Sequence, residues 1–235
     1  MSKPLRFYKM IVFDASDTLI TIPASRAILR KYLADRGILK EEAHIGELFS
    51  ESFRLFYYEK PIRGFEACTP ESDRIFWANL YTYVLDKLGL REHWTEEVLH
   101  GVSHELYDVY TAPEHYELFE DVKESLAYLS DKGFRLGIVS NFAPTLTKIL
   151  ESKGILHYFE QVIVSTEVGL EKPDPAIFKL ALELSGLKAE ELLYIGDHEL
   201  NDVWAPGQVG IDAVRIIRYD DHSGEGIRTL RELFD

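Results

Sequence analysis

The sequence predicts an α/β fold: a parallel sheet with helices on both faces, opened after its first strand by a helical insertion. Three observations predict it. From about residue 117 onward, short apolar runs that read as buried strands alternate with amphipathic helical stretches. One more run of the strand kind, residues 9–14 (Lys-Met-Ile-Val-Phe-Asp), stands alone near the start. Residues 21–110 between them carry almost no strand signal. The boundaries drawn from this pattern give a sheet domain of residues 1–20 and 112–235 and a helical domain of residues 21–111.

Each element follows from its local pattern. Residues 9–14 are an apolar run closed by an acid, as in a strand buried on both faces. In the insertion, residues 25–36 read as a helix. Residues 48–58 read as another, with Phe49, Phe53 and Phe56/Tyr57 at spacings of three and four. Thr69-Pro70-Glu71 supplies an N-cap, a first-turn proline and a first-turn acid for a helix running to about Leu88. Thr95-Glu96-Glu97 opens one more, to about Tyr110. The chain then alternates. Helices are expected over 121–132, 144–153 and 174–185, ended by Gly133, Gly154 and Gly186. Strands are expected over 135–140 (RLGIVS), 161–165 (QVIVS), 192–195 and 213–217. A short helix near Asn201 meets Pro206-Gly207, which predicts a kink or a late start. A last helix is expected over 227–234.

At ~150 residues per domain, a chain of 235 makes one large domain or one domain carrying an insertion. Lys and Arg number 26 against 40 Asp and Glu, a formal net charge of −14. That excess argues against nonspecific nucleic-acid binding and against an anionic membrane surface. An anionic substrate stays possible, because a bound metal or one lysine reverses the local field. The single cysteine, Cys68, excludes an intrachain disulfide and a cysteine-based zinc site, and it suits a reducing cytoplasm. Lys3, Arg6 and Lys9 resemble the start of a signal peptide, but the apolar stretch after them stops at Asp14. No run reaches the ~18 apolar residues of a membrane span.

In such sheets ligands sit beyond the carboxyl ends of the strands. Asp14 follows the first strand and Ser140-Asn141 the second. Glu171-Lys172-Pro173 lies a few residues after the third. Asp197 follows the fourth, with Asn201 and Asp202 beyond it. Three carboxylates converging at one sheet edge repel one another unless a cation or strong donors compensate. Hard carboxylate oxygens suit Mg²⁺, and Lys172 adds a fixed positive charge. Acids, one metal and one lysine describe a site for phosphoryl transfer, in which an aspartate can also serve as nucleophile.

The set Val12-Phe13-Asp14-Ala15-Ser16-Asp17-Thr18-Leu19, Ser140-Asn141, Lys172-Pro173-Asp174-Pro175 and Gly196-Asp197-His198-Glu199-Leu200-Asn201-Asp202 resembles the four motifs of the haloacid dehalogenase superfamily, in order and in spacing. The resemblance implies a doubly wound Rossmann-like sheet, with the insertion as a helical cap. It implies a Mg²⁺-dependent hydrolase acting on a small phosphorylated compound through an aspartyl-phosphate. Asp14 would be the nucleophile and a metal ligand, the backbone carbonyl of Ser16 a second ligand and Asp197 a third. Ser140 and the Asn141 backbone amide would bind phosphoryl oxygens. Lys172 would balance the charge between Asp14 and the phosphoryl group, and Asp202 would orient Lys172 or a metal-bound water.

One position departs from the family pattern. Phosphatases of this superfamily carry an aspartate two residues after the nucleophile, to protonate the leaving group. Here Ser16 stands there, and Asp17 takes the usual glycine position. A missing acid/base costs ~10²–10⁴ in rate. The alternatives implied are a weak phosphatase, one specialised for good leaving groups, a 2-haloacid dehalogenase with Asp14 attacking carbon, and a family member that only binds a ligand. Asp197 and Asp202 favour the metal-dependent branch.

Other residues have blander readings. His100 and His104 share a helical spacing that can bind zinc, but Gly101 breaks the zinc protease signature, so a solvated helix face is expected. His198 is placed outside the catalytic set. Phe49, Phe53, Phe56, Tyr57, Phe76, Trp77 and Tyr81 are expected mostly to build the core of the insertion.

Overall fold

The computed structural model describes residues 3–58, 68–220 and 224–234. Two compact units divide the chain. One takes Met1–Thr21, Glu66–Thr69 and Tyr116–Asp235; the other takes Ile22–Phe65 and Pro70–His115.

In chain order the sheet unit begins with β1 (Met10–Phe13), all four residues buried, followed by the two-residue β2 (Ile20–Thr21). The helical unit then contributes α1 (Ser25–Ala34), α2 (Glu42–Phe53), α3 (Pro70–Lys87) and α4 (Glu96–Tyr110). The sheet unit resumes with β3 (Glu117–Leu118), α5 (Val122–Asp131), β4 (Arg135–Ser140) and α6 (Leu146–Ser152). Next come β5 (Gln161–Val164), α7 (Ser165–Val168), α8 (Pro175–Ser185), β6 (Leu192–Gly196), α9 (Ala205–Gly207) and β7 (Asp212–Arg215).

Five strands form one parallel sheet in the order β5-β4-β1-β6-β7. The first strand made is the central one, flanked by β4 and β6, so the strand order reverses beside it. Alternation along the strands sends Met10, Val12, Val139, Ile163 and Tyr194 into one core with Ile177, Phe178 and Ala181 of α8. Helix α8 has a full set of end signals. Asp174 caps it by accepting from Ala176 N at 2.8 Å, Pro175 opens it, and Gly186 closes it at φ +67°. The two-stranded pair β2–β3 joins residues on either side of the insertion, with Ile20 opposite Leu118 and Thr21 opposite Glu117.

The helical unit packs on its own aromatic cluster. Tyr81 stacks on Tyr110 at 5.2 Å, Phe49 meets Tyr110 edge-on at 5.8 Å, and Phe53 meets Trp77 at 5.9 Å. Phe49 and Tyr81 are buried, while Phe53, Phe56, Tyr57, Phe76 and Trp77 are partly exposed. No helix among the described residues is long and apolar enough to cross a membrane.

Three expectations differ from the structure. The helix expected over 48–58 starts earlier, at Glu42, and its last turns widen to π geometry over Arg54–Tyr58. The short helix near Asn201 is a π turn, Glu199–Trp204, that runs into Pro206. The last helix shrinks to a 3₁₀ turn, Leu230–Leu233, because Ile227 instead bridges to Ile216 at the sheet edge.

Candidate active site

Asp14 N donates to Ile195 O at 2.8 Å, so the sheet ladder carries the residue to the carboxyl edge beside β6. There Lys172 Nζ donates to Asp14 Oδ1 at 2.8 Å, to Asp202 Oδ1 at 2.6 Å and to Tyr194 Oη at 3.0 Å. All three of its donors are used. Tyr194 donates in turn to Val139 O at 2.7 Å, which fixes the phenol oxygen as an acceptor for the lysine. Asn141 holds the backbone of Lys172 through two bonds of 2.8 Å, from Asn141 Nδ2 to Lys172 O and from Lys172 N to Asn141 Oδ1. Asp202 Oδ2 accepts from His198 N at 2.9 Å.

Gly196 makes this packing possible. A Cβ at that position would overlap the Asp202 carboxyl group. Ser140 is fully buried. Its hydroxyl makes no hydrogen bond of good geometry, although it lies close enough to Asp14 to favour the ionised carboxylate.

The loop after Asp14 is closed tightly. Leu19 N and Ile20 N both donate to Ala15 O, at 2.9 and 3.0 Å, and Ser16 bridges to Ile20. Asp17 adopts φ +53°, a left-handed conformation that aspartate tolerates better than most residues. Its carboxylate accepts from Tyr219 Oη at 2.6 Å. Arg218 grips the same loop, with Nε and Nη2 donating to Thr18 O at 3.0 and 2.7 Å.

The charges do not balance. Burial pushes Asp14 up to about 6, and Asp202 adds to the shift while Lys172 opposes it. Asp197 is pushed well above the usual carboxylate range by burial, then by Asp202, Asp14 and Asp17. Burial alone would lower Lys172, but Asp14 and Asp202 outweigh it and hold the ammonium above its ordinary value. Carboxylate oxygens of Asp14, Asp197 and Asp202 lie within 4.8 Å of one another. A donor set made only of hard oxygens, carrying more negative charge than one lysine offsets, fits Mg²⁺.

The predicted residues Asp14, Lys172, Asp197 and Asp202 thus come together, with Ser140, Asn141 and Ser16 at the adjoining strand end and loop. Sequence reasoning missed Tyr194, Arg218, the side-chain role of Asn141 and the close approach of Asp202 that Gly196 permits. Tyr194 left one signal: it is the only residue with a polar tip in the otherwise apolar run Leu-Leu-Tyr-Ile-Gly.

Comparison with known proteins places the chain in a family. The chain is 27% identical over 225 residues to haloacid dehalogenase-like hydrolase domain-containing protein 3 of Danio rerio, covering 94% of this chain and 88% of that protein. It is 28% identical over 246 residues to the phosphoserine phosphatase of Thermus thermophilus, covering 96% and 98%. Among solved structures, the HAD-hydrolase YfnB of Bacillus subtilis bound to magnesium shares the fold at a TM-score of 0.72 and 22% identity, covering 97% of each chain. A sequence profile for haloacid dehalogenase-like hydrolases matches residues 8–210, a span that takes in all four strand-end motifs. The parallel sheet flanked by helices is the fold that the chain shares with the YfnB structure, and with the profile matched over residues 8–210 the chain belongs to the haloacid dehalogenase-like hydrolases.

Proposed function

We propose that the chain is a Mg²⁺-dependent phosphoric monoester hydrolase, acting on a small phosphorylated metabolite of the cytoplasm through an aspartyl-phosphate on Asp14. One observation carries the reading: a single buried lysine shared by Asp14 and Asp202, with Asp197 leaving the cluster short of positive charge. Asp14, Asp197 and the Ser16 carbonyl would hold the metal. Bound Mg²⁺ supplies the positive charge that offsets the transferring phosphoryl group.

The chain's own residues do the rest. The ionised Asp14 carboxylate attacks phosphorus, and the bond to the leaving oxygen breaks with its electron pair on that oxygen. Lys172 keeps Asp14 ionised and faces the charge that moves onto the phosphoryl oxygens. Ser140 Oγ and the Asn141 backbone N–H hold those oxygens in line. Water then attacks phosphorus, releasing phosphate and restoring the carboxylate.

Ser16 is a poor proton donor, so the departing oxygen leaves as an anion and takes its proton from solvent. Acyl and aryl phosphates, whose leaving groups are already stable, suit such a site best. The phosphatase relative of near-equal length supports the phosphoryl reading. Residues 21–111 are proposed to act as the cap. Carbon–halogen cleavage releases halide, which needs neither a proton nor a cation, so it gives this surplus of carboxylates no use.

The test is phosphate release from p-nitrophenyl phosphate and acetyl phosphate, with Mg²⁺ and with chelator, beside halide release from 2-chloropropionate. Mg²⁺-dependent phosphate release supports the proposal. Metal-independent halide release would replace it with dehalogenation. Turnover of neither class would leave a ligand-binding protein.

A further inference from the structure

Helix α4 carries His100 and His104 one turn apart in the helical unit. A four-residue spacing puts two side chains on one face of a helix, but it does not decide where their rings point. Here the two Nε2 atoms face each other at 3.3 Å, with ring centroids 4.5 Å apart and ring planes at 53°. With zinc–imidazole bonds of about 2.0–2.1 Å, two nitrogens on one tetrahedral ion sit about 3.3–3.4 Å apart. The pair is therefore already open to the bite of a chelated cation. With no cation between them, one Nε2 must carry a proton and donate to the other, and protonating both would set two donors against each other.

We propose that His100 and His104 form a binding site for one imidazole-preferring divalent cation of the zinc, nickel or copper class, with water completing its coordination. The site is independent of the reading given to the strand-end cluster. Its ligand chemistry also differs: nitrogen donors select these transition metals, whereas carboxylate oxygens suit Mg²⁺.

The surroundings support the proposal. Thr95 caps α4 by accepting from Val98 N at 3.3 Å, and Leu99, Val102, Ser103, Leu106, Tyr107 and Tyr110 of the helix are buried. The backbone that sets the two rings is thus anchored. Arg74 is the cation that would oppose a metal, since its Nη1 donates to His104 O at 3.2 Å. Its charge is matched by Asp108, which accepts from Nη1 at 3.0 Å and from Nη2 at 2.5 Å. Burial holds His104 below the ordinary histidine range, which favours the neutral ring that coordinates. His100 is exposed, so the ion has an entry path.

The experiment is calorimetric titration of the full chain with ZnCl₂ in excess MgCl₂. The expected result is one zinc per chain. His100→Ala and His104→Ala each weaken it at least about ten-fold, the low end of what losing even an outer-shell partner costs a metal site, and the double variant abolishes it. Asp14→Asn, which alters the carboxylate cluster, keeps it. Alanine is the best helix former, so thermal melts of the His variants in chelator should match the parent. A Cu²⁺-loaded sample gives a second readout: its electron paramagnetic spectrum should show coupling to two imidazole nitrogens, and to one in either single variant. Zinc binding that is equal in the parent and the double variant, or lost in Asp14→Asn alone, would overturn the proposal.

Discussion

Lys172 and Arg218 are both buried cations of the sheet unit, with side chains 3% and 5% exposed. Arg218 faces one carboxylate, Asp121, and donates to both of its oxygens at 2.9 and 2.8 Å. Thr229 Oγ and Leu230 N complete the shell of Asp121 at 2.7 and 2.6 Å. Burial would raise Asp121, but these bonds outweigh it and hold the carboxyl below its usual range. Lys172 instead divides one charge between Asp14 and Asp202, and Asp14 and Asp197 are left raised. A closed pair ties chain segments together. An open cluster holds unspent negative charge beside the proposed nucleophile, and perturbed groups of that kind gather where chemistry is done.

Substitutions should separate the two kinds of cluster. Asp14→Asn removes the proposed nucleophile and should lower turnover by about 10⁴-fold or more, as loss of a covalent nucleophile does elsewhere. The circular dichroism of the variant should match the parent. Near-parental phosphate release would show that no covalent step runs through Asp14. Asp121→Ala leaves the Arg218 guanidinium buried and unpaired, which costs about 3–5 kcal/mol. Urea unfolding should show that loss; an unchanged midpoint would mean that water reaches Arg218 and the pair contributes little.

The two clusters should also answer pH with opposite signs. Burial holds Asp14 at about 6 in the folded state, above its ordinary value of 3.8. Its cost to stability is therefore present above about pH 6 and relieved as pH falls toward 3.8. Asp121 is depressed, so its contribution is present above the ordinary aspartate value and lost as pH falls through the lower folded value. Metal-free protein should thus gain a few degrees of melting temperature between pH 7 and about pH 5, and lose stability below about pH 4. Asp14→Asn should shrink the rise, leaving the share that Asp197 contributes, and keep the acid loss. A rise of equal size in the variant would remove Asp14 as its source.

The smallest effect concerns Ser16. Ser16→Asp should raise turnover on alkyl phosphates about ten-fold, or ~1.4 kcal/mol of barrier. It should change p-nitrophenyl phosphate turnover little, because that leaving group needs no proton. An equal gain on both substrates at saturating Mg²⁺ would mean that the proton comes from elsewhere.

Asp14, Ser140 and Asp197 were legible because each closes or directly follows an apolar run, where parallel sheets put their ligands, and Lys172 and Asp202 because they lie in the segments that follow such runs. Tyr194 was hidden inside its run, since periodicity reports burial and not what a phenol tip reaches. The Asp121–Arg218 pair lies between residues far apart in sequence with no motif between them. The strands β2 and β3 have two residues each, too few for any alternation to register. The helix expected over 227–234 lost to a tertiary contact, the Ile216–Ile227 bridge, which no local pattern announces.

The place of β1 at the centre of the sheet has a consequence for how the chain is made. Met10 pairs with Arg135 on one side and with Leu192 on the other, so both partners lie more than a hundred residues downstream. At about 5–20 residues per second, the ribosome delivers the first partner on the order of ten seconds after β1. Through that interval the segment Met-Ile-Val-Phe, which ends fully buried, has neither edge paired. The insertion that separates β1 from β4 thus lengthens the time for which this fully apolar strand of the nascent chain is without its native neighbours.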